Sequence, residues 1–392
     1  MKIAYLGTII DHGYTLAQWS SGLLLLMDAI SSIERIDVYC PSKNSINTVD
    51  ISYSDKIEVK PEIYVSSPFS MIRALKYISK QDYDLFIINI NPTVFGNGSI
   101  INFLAHIIPF LVKNIFKMRI IVIYHNSVLT NDVSNLGYNS MWDRIRELIL
   151  FRIEYLLFKN IDTYLLVDIY VDLINKLIPK NSIKLLDIPA MEVIPTLHLN
   201  SIDFNENKHY LKTTKKDAPS VLLHGYWGPQ KNLLSALEAL EKCRKGGFNF
   251  EIIISGVPNP HFPEYAKEHN IFLTKYANLI TGVRGHISEK EIFQLFTNAD
   301  LVLLPYSVAG GHSGVLAIAY ALDTPTIARR LPEFESISKE FHNLTLYDDD
   351  LFDKLCNFFL KWNPKNERII YPKKIFYNSL KNLEKIIGGE NY

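Results

Sequence analysis

Short apolar runs alternate with helix-length segments along most of this chain. The runs, which include Lys2–Leu6, Leu85–Ile90 and Leu301–Leu304, are apolar at almost every position rather than at every second one. Continuous apolar runs are typical of parallel strands that are covered on both faces, because neither face meets water. Helices between such strands provide the cover, so the pattern predicts a doubly wound α/β fold.

The pattern occurs in two regions. The chain has 392 residues, of which 48% are apolar, and this is enough for two hydrophobic cores. The segment Asn200–Pro219 is polar, charged and without periodicity, as linkers are. We therefore expect an N-terminal domain over residues 1–200, a linker over 201–219, a C-terminal domain over 220–372, and a last helix over 373–392 that packs onto either domain.

Charge and cysteine content narrow the functional classes. Lys plus Arg and Asp plus Glu balance at 41 each, which argues against a nucleic-acid-binding protein. Three scattered cysteines and the lack of a clustered His/Asp/Glu motif predict neither disulfides nor a metal, and no cofactor is expected. The N-terminus reads as a strand rather than a signal peptide, and no apolar run reaches the roughly 20 residues of a membrane span. We expect a cytoplasmic protein.

The most unusual segment is a glycine-rich turn that leads into a helix without any charged residue, Gly314–Leu322. A helix with no polar face is buried, so its first N–H groups need partners other than bulk water. Ser313 is a suitable N-cap for one of them, and Gly310 and Gly311 allow an anion to approach the backbone. With the helix dipole, the turn predicts a phosphate site. A tight turn with glycines for packing is the alternative.

A second glycine-rich turn precedes another helix. After the strand Ser220–Leu223, the chain passes through His-Gly-Tyr-Trp-Gly-Pro-Gln to Lys231 and the amphipathic helix Leu233–Lys245. A lysine at a helix start opposes the helix dipole unless an anion compensates it. A solvated lysine beside a turn is the alternative, but the two turns together predict a diphosphate clamp. Between them, the turn Arg284–Ile287 lies at the end of a third strand.

The order of these segments resembles retaining glycosyltransferases of the GT-B fold, in particular the large family-four group that uses nucleotide-sugar donors. The resemblance covers Val221–Phe334 and rests on G-x5-K-N before a helix, on G-H-I-S-x-x-E-I-x-x-L-F-x-x-A-D-L-V-L-L-P, on the glycine-rich turn with its apolar helix, and on D-T-P-T-I-A. In the first half it rests on the strand-glycine start and on Ile121–Asn126. It implies two Rossmann-like domains that face each other across a cleft.

The resemblance implies roles for individual residues. Lys231 would neutralise the leaving diphosphate. Backbone N–H groups that bind this diphosphate would come from Gly311, Ser313, Gly314 and Val315. The nucleobase would be held by backbone groups of the turn Gly285, His286 and Ile287. From the opposing domain, His125 would line the sugar pocket and the loop with Gly13 would approach the donor, although His125 is also explained as a core histidine.

Three residues that the family usually carries are absent. Its two glutamates lie eight positions apart around the glycine-rich turn, and these positions are Gly310 and Ile318 here. The first glutamate binds the sugar and the second the ribose, so Ile318 stands where a ribose ligand is expected. Tyr226 stands where an arginine is usual. A reaction in which the departing phosphate takes the acceptor's proton needs no protein carboxylate, and it is therefore compatible with these losses.

We expect a retaining, metal-independent hexosyltransferase that uses a nucleotide-diphosphate sugar as donor and a glycan or lipid-linked acceptor. A non-catalytic sugar- or nucleotide-binding partner protein is an alternative that explains the absent glutamates directly. A sugar-nucleotide epimerase shares the architecture but needs carboxylates, and the nearest are Asp323, Glu333 and Glu335. A dinucleotide-dependent dehydrogenase is disfavoured because no G-x-G-x-x-G follows the first strand.

Two segments of the N-terminal half combine apolar and basic residues. They are Ile100–Arg119 and Met141–Lys159, and the second contains Arg144, Arg146 and Arg152. Basic amphipathic helices can lie on anionic membranes, which predicts peripheral association with the inner face of the membrane. The alternative is that both helices simply cover the sheet.

Overall fold

A computed structural model describes residues 1–7, 15–42, 54–64, 67–90, 99–125, 127–129, 141–178, 183–186, 209–211, 217–259, 262–287, 289–309, 313–364, 368–370 and 372–389. These residues form two α/β domains, each with a parallel sheet of its own. The predicted fold class is therefore confirmed.

The N-terminal domain contains a seven-stranded parallel sheet. Its strands are β1 (Lys2–Leu6), β2 (Arg35–Ser42), β3 (Ile57–Tyr64), β4 (Leu85–Ile90), β5 (Ile120–Tyr124), β6 (Thr163–Leu165) and β7 (Ile183–Leu185). Their order in the sheet is β3-β2-β1-β4-β5-β6-β7. Both β4 and β5 are buried along their whole length, which explains their continuous apolar sequence.

Helices cover both faces of this sheet. They are α1 (Thr15–Asp28), α2 (Pro68–Ile78), α3 (Ser99–Leu111), α4 (Met141–Asn160) and α5 (Asp168–Leu177), and a π-helical turn over Val112–Phe116 follows α3. Helix α1 packs with β1 and β2 in one apolar cluster, and α2 and α3 pack on the other face in a second cluster. The core of the domain therefore lies in two layers, one on each side of the sheet.

Strand β8 (His209–Leu211) precedes the C-terminal domain, which contains a six-stranded parallel sheet. Its strands are β9 (Ser220–His224), β10 (Glu251–Ser255), β11 (Gly282–Arg284), β12 (Leu301–Leu304), β13 (Thr326–Arg329) and β14 (Leu344–Tyr347). Its helices are α6 (Leu233–Lys245), α7 (Pro263–Lys275), α8 (Glu289–Asn298), α9 (Gly314–Ala321), α10 (Pro332–Ser338) and α11 (Leu351–Lys361). The strand order is β11-β10-β9-β12-β13-β14.

The predicted linker over residues 201–219 is not wholly irregular. Its residues His209–Leu211 form β8, which pairs in antiparallel fashion with β15 (Arg368–Ile370). Strand β8 follows the N-terminal domain in the chain and β15 follows the C-terminal domain, and backbone hydrogen bonds join the two strands. Such a pairing between distant segments leaves no local signal in the sequence, since each partner is only three residues long.

The last helix, α12 (Pro372–Gly388), packs onto the N-terminal domain rather than the C-terminal one. Its residues Leu383, Ile386 and Ile387 are buried in the same apolar cluster as β1 and α1. Arg119 donates hydrogen bonds to the carbonyl oxygens of Ile387, at 2.6 Å, and Ile386, at 3.1 Å. A cation at the last carbonyls of the helix also complements the negative end of the helix dipole.

Helix α9 lies between the two cores. Leu316, Ile318 and Ala319 belong to an apolar cluster of the C-terminal domain, whereas Ala317 belongs to the cluster that β1 and α1 form in the N-terminal domain. Burial on opposite sides explains why this helix has no polar face, as its sequence predicted.

A buried polar contact also joins the domains. The Tyr170 hydroxyl, on α5, donates a hydrogen bond to Oε1 of Glu333, on α10, and both residues are 7% exposed. The helices α5 and α10 pack against each other around this pair. A carboxylate is rarely buried unless it is paired, so the contact accounts for the position of Glu333.

The two basic amphipathic segments differ in their surroundings. Ala105 and Ile108 of α3 are buried in the core of the N-terminal domain, so this helix covers the sheet. Helix α4 buries only part of its surface, and large apolar side chains lie exposed on its other face. Within the described ranges, no helix is both long enough and apolar enough to span a bilayer.

Candidate functional site

The C-terminal sheet reverses its strand order between β9 and β12. The chain adds β10 and β11 on one side of β9, whereas β12, β13 and β14 extend the sheet on the other side. In open α/β sheets, ligands bind in the crevice beyond the carboxyl ends of the strands at such a reversal. The turn that leads to Lys231 follows β9, and Ser313 with the start of α9 follows β12, so these two segments lie at the same crevice.

The turn after β9 lies close to the end of β10. Gly225 has φ of +148° and Gly256 has φ of +98°, both in the region that favours glycine. A Cβ atom at Gly256 would collide with the carbonyl oxygen of Gly225. Beyond them, Trp227 is buried and donates from Nε1 to the Ser255 carbonyl at 3.1 Å. These contacts hold the start of the turn against the sheet.

Lys231 ends a short 3-10 turn, Pro229–Lys231, just before α6. The turn is attached to the segment after β12, because the Ser307 amide donates to the Gln230 carbonyl at 2.9 Å. The Lys231 ammonium lies 3.5 Å from the centre of the Tyr306 ring, where a cation–π interaction holds it. Lys231 is therefore positioned over the first residues that follow β12.

The N-terminus of α9 faces the same place. Ser313 is the N-cap, and its hydroxyl accepts a hydrogen bond from the Leu316 amide at 3.4 Å, which confirms the predicted capping role. A Cβ atom built on Gly225 would lie 3.9 Å from Cγ2 of Val315 and 4.0 Å from the Tyr306 hydroxyl. The structure thus brings together the glycine turn after β9, Tyr306 and the first turn of α9.

Burial weakens the positive charge of Lys231. Desolvation lowers its pKa from 10.5 to about 7, and within the described residues no carboxylate compensates it. His224, at the end of β9, has its pKa lowered to about 4, first by burial and then by the charge of Lys231. His224 is therefore neutral at neutral pH, and an anion beside Lys231 would raise the pKa of its ammonium again.

Three residues at this crevice were not assigned from the sequence. His224 has a buried Nδ1, and Ser255 a buried Oγ, without a hydrogen-bond partner among the described residues. Tyr306 carries the ring under Lys231, and burial raises the pKa of its hydroxyl. Each lies at or just beyond the carboxyl end of a strand, which is the one signal that could have identified them. Unpaired buried polar atoms are available to a ligand.

The turn predicted to hold the nucleobase lies at the far side of β10. Gly285 and His286 are exposed, and nothing lies within 4 Å of a Cβ atom built on Gly285. The Gly256 amide donates to the carbonyls of Arg284, at 3.0 Å, and Gly285, at 3.3 Å, so the turn is fixed to the neighbouring strand end. Ile287 packs partly against the core. The turn therefore presents backbone groups to open space.

Ile318, which stands at the position of the ribose-binding glutamate, is 4% exposed and belongs to the apolar cluster of the C-terminal domain. Its side chain is thus explained by packing, without a ligand. The remaining predicted residues of this loop and of the opposing one, Gly310, Gly311 and Gly13, lie outside the described residues.

On the N-terminal domain, His125 follows β5. Its amide donates to the Ile90 carbonyl at 3.1 Å, and its ring meets the Trp19 ring edge-on at 4.8 Å between centroids. His125 is partly exposed at the carboxyl end of its strand. This is the position that both the sugar-pocket and the core-histidine interpretations predicted, and the packing on Trp19 orients the ring.

A buried glutamate holds the loop that begins at His125. Glu154 of α4 accepts hydrogen bonds from the hydroxyls of Tyr124 and Ser127, each at 2.6 Å, and from the Val128 amide at 3.0 Å. Burial raises the pKa of Glu154 to about 7, against the opposing effect of these hydrogen bonds. The sequence offered no signal for this role, because Glu154 lies in the middle of a helix.

Among the described residues, no group of three or more His, Cys, Asp and Glu side chains is arranged to hold a metal ion. The positive charge at the crevice comes from Lys231 and from the N-terminus of α9.

Comparison with solved structures identifies the architecture. No protein-family model and no curated protein matches the sequence. The Anabaena protein HepE, in complex with UDP and glucose, superposes with a TM-score of 0.66 at 11% identity, over 99% of this chain and 100% of that one. Sucrose-phosphate synthase from Thermosynechococcus elongatus gives 0.62 at 14% identity, over 98% and 94%.

An epimerase is also similar. UDP-GlcNAc 2-epimerase from Methanocaldococcus jannaschii gives a TM-score of 0.56 at 16% identity, over 99% of this chain and 99% of that one. These alignments span both domains, so the chain has the two-domain GT-B fold of Rossmann-like halves. At such low identity the likeness establishes the fold, while the function must be argued from the site.

Proposed function

We propose that the chain is a glycosyltransferase that transfers a sugar from a nucleotide-sugar donor. The observation that carries the proposal is the convergence of Lys231 and the N-terminus of α9 at the strand-order reversal. The desolvated ammonium of Lys231, a partly buried residue, has no carboxylate partner among the described residues, and a diphosphate would supply the missing charge. Ser313, Gly314 and Val315 would provide the backbone N–H groups, together with Gly311.

The chemistry needs charge stabilisation more than a protein nucleophile. As the bond to the sugar breaks, negative charge develops on the diphosphate, and Lys231 and the helix N-terminus would stabilise it. We propose that the acceptor hydroxyl attacks from the face that the diphosphate leaves, so that configuration is retained and the phosphate takes the proton. In this scheme the protein supplies the positive charge, and no metal ion is required.

The donor is proposed to be a nucleoside-diphosphate hexose. HepE has been crystallised with UDP and with UDP-glucose, and its fold is shared by this chain. The nucleobase would lie on the open turn of Gly285, His286 and Ile287. His125 and the Gly13 loop would approach the sugar from the N-terminal domain, where we place a glycan or lipid-linked acceptor.

An epimerase needs carboxylates as acid and base, and the three candidate carboxylates of this chain are all engaged in other contacts. Glu335 pairs with Arg330 on the surface at 3.1 Å, and Asp323 accepts from Asn343 at 2.7 Å. Glu333 is buried against Tyr170. The three carboxylates that the sequence offered are thus engaged elsewhere, which favours a reaction without a protein carboxylate.

A nucleotide-binding protein without catalytic activity is the second candidate. One observation favours it: Ile318 fills an apolar core at the position where a glutamate would bind the ribose. Both candidates require nucleotide binding at Lys231, so turnover separates them.

The test is titration calorimetry with UDP and with GDP at a pH of about 8, in two buffers of different ionisation enthalpy. In the free protein Lys231 is mostly neutral at this pH, because its pKa is about 7. A bound diphosphate raises that pKa, so binding is expected to take up close to one proton. Lys231→Met should abolish the proton uptake, whereas Lys267→Met, at an exposed lysine of α7, should leave it unchanged.

Turnover of a nucleotide-sugar panel completes the test. We expect Lys231→Met to lower transfer or donor hydrolysis by about 10²–10³. Nucleotide binding without any turnover would select the binding protein, and conversion of the donor to its C2 epimer would select the epimerase. Failure to bind either nucleotide, or proton uptake that survives Lys231→Met, would refute the site.

A further inference from the structure

Helix α4 exposes large apolar side chains on the face that points away from the domain. Met141 is 71% exposed, Trp142 66%, Leu148 67% and Leu156 51%. A helix that merely covers a sheet turns such residues inward and leaves polar residues outside. Here the outer face is apolar, so the helix carries a surface beyond the one it needs for folding.

The exposed apolar residues lie along one side of the helix. Met141, Ile145 and Leu148 follow one another at helical spacing, Leu156 continues the same side beyond Arg152, and the helix of 20 residues is about 30 Å long. The opposite face carries Glu154, Leu157 and Phe158, which are fully buried. Since that face packs on the domain, the apolar face meets solvent along most of the helix. Monomeric proteins rarely expose a patch of this kind without a partner.

The charges on α4 indicate the partner. Arg144, Arg146, Arg152 and Lys159 are exposed, and no acidic residue is exposed among the α4 residues whose burial the structure describes. Arg144 and Arg152 each lie four residues from Leu148, so these cations stand among the exposed apolar residues. Such a mixed face complements a surface with an apolar interior and negatively charged headgroups. A second copy of the same face would bring these cations together, which disfavours a symmetric dimer.

We propose that this face of α4, which we name the α4 face, binds the surface of an anionic lipid bilayer. The apolar side chains enter the boundary between headgroups and acyl chains, while the arginines and Lys159 contact lipid phosphates. The proposal rests on the exposed surface alone and not on donor chemistry. The sequence allowed both basic helices either to cover the sheet or to bind a membrane. We assign the first role to α3 and the second to α4.

The experiment is co-sedimentation of the full chain with vesicles, without any nucleotide or sugar. Vesicles of phosphatidylcholine mixed with phosphatidylglycerol are compared with vesicles of phosphatidylcholine alone, at low and at high salt. We expect binding to the mixed vesicles to be stronger by about tenfold or more at low salt, and to fall as salt screens the cations.

Two variants separate the apolar and the charged parts. Leu148→Ser/Leu156→Ser should lose binding to both kinds of vesicle, and Arg144→Gln/Arg152→Gln should lose the preference for phosphatidylglycerol. All four residues are exposed, so the fold should be retained, which circular dichroism verifies. Ile271→Ser, at a residue of α7 that is 62% exposed, is the control that should bind as the wild type does.

Binding that is equal for both vesicle types, or unchanged in both α4 variants, would overturn the proposal. So would a concentration-dependent dimer, measured by analytical ultracentrifugation, that Leu148→Ser/Leu156→Ser dissociates, because the face would then bind a second copy. Loss of nucleotide binding in the calorimetric test would leave this result unaffected, so the two proposals fail independently.

Discussion

At the scale of single residues, desolvation shifts the pKa values of Glu154 and Lys231 in opposite directions, and in both cases it favours the neutral form. Burial raises the pKa of the carboxyl and lowers that of the ammonium, and each comes to about 7. Lys231 has no carboxylate partner among the described residues, whereas Glu154 accepts three hydrogen bonds. We propose Lys231 as an anion-binding residue, whereas Glu154 fixes the loop that carries His125.

The raised pKa of Glu154 makes stability depend on pH. A carboxyl whose folded pKa lies above its unfolded value binds more protons in the folded state, so the free energy of unfolding falls as pH rises between the two values. Between pH 4.5 and about 7, Glu154 should remove on the order of 3 kcal/mol. His224, whose pKa is lowered from 6.5 to about 4, makes the opposite contribution over much of this range, so the test is the difference between two proteins. In urea unfolding, the stability of the wild type relative to that of Glu154→Gln should fall as pH rises.

A matched control is Glu147→Gln, because Glu147 lies on the same helix and is only partly buried. Its stability should follow that of the wild type at every pH. An unchanged pH profile in Glu154→Gln would mean that Glu154 stays ionised in the folded state across this range.

At the scale of elements, α9 contributes side chains to the apolar clusters of both domains. Its lack of charge predicted burial, and the structure places it between two cores. The position of Ile318 in one of these cores determines what a glutamate would do there. The resemblance implies that position 318 faces the ribose, whereas the structure packs Ile318 in an apolar cluster.

Ile318→Glu should destabilise the C-terminal domain by several kcal/mol, because it places an unpaired charge in an apolar cluster. Ile318→Leu, which conserves volume, should cost less than about 1.5 kcal/mol. Thermal unfolding with and without UDP measures both. If Ile318→Glu melts as Ile318→Leu does and binds UDP more tightly, then the side chain at position 318 faces the nucleotide.

Elements with a strong local pattern were predictable and edge elements were not. The bounds of β1, β4, β12 and α6 follow directly from the sequence, since central parallel strands are apolar throughout. Strand β3, with charged residues at alternate positions, was not predicted, because it lies at the sheet edge and pairs on one side only. Its composition is that of a half-exposed strand.

The candidate site was predictable where it uses local helix-start chemistry. Lys231 and Ser313 each precede a helix, and residues adjacent in the sequence are enough to predict a helix start. His224 ends β9 and Tyr306 follows β12, and these two strands are distant in sequence and become neighbours only in the sheet. Their role could not be read before the strand order was known.

At the scale of the whole molecule, the two domains are joined by more than the chain that links them. Strands β8 and β15 pair, α9 contributes to both cores, and Tyr170 bonds to Glu333 across the interface. The hydrogen bond is the contact that a single substitution can remove without changing the volume of either core.

Tyr170→Phe should loosen the domain interface. The substitution leaves a buried carboxylate without its donor, which typically costs about 1–3 kcal/mol, and hydration of Glu333 then favours separation of the domains. Small-angle X-ray scattering should record a larger radius of gyration for Tyr170→Phe than for the wild type. Tyr155→Phe, at an exposed tyrosine of α4, should not change it. Identical scattering curves for all three proteins would show that the bond does not hold the domains together.

The packing of α12 has a consequence for how the protein is made. A ribosome delivers the N-terminal sheet first, yet Leu383, Ile386 and Ile387, which close its apolar cluster with α1, are synthesised after the whole C-terminal domain. The first domain to emerge is therefore the last to be completed. The apolar surface that α12 covers therefore stays exposed until α12 has been synthesised, and the packing of the N-terminal half is completed only then.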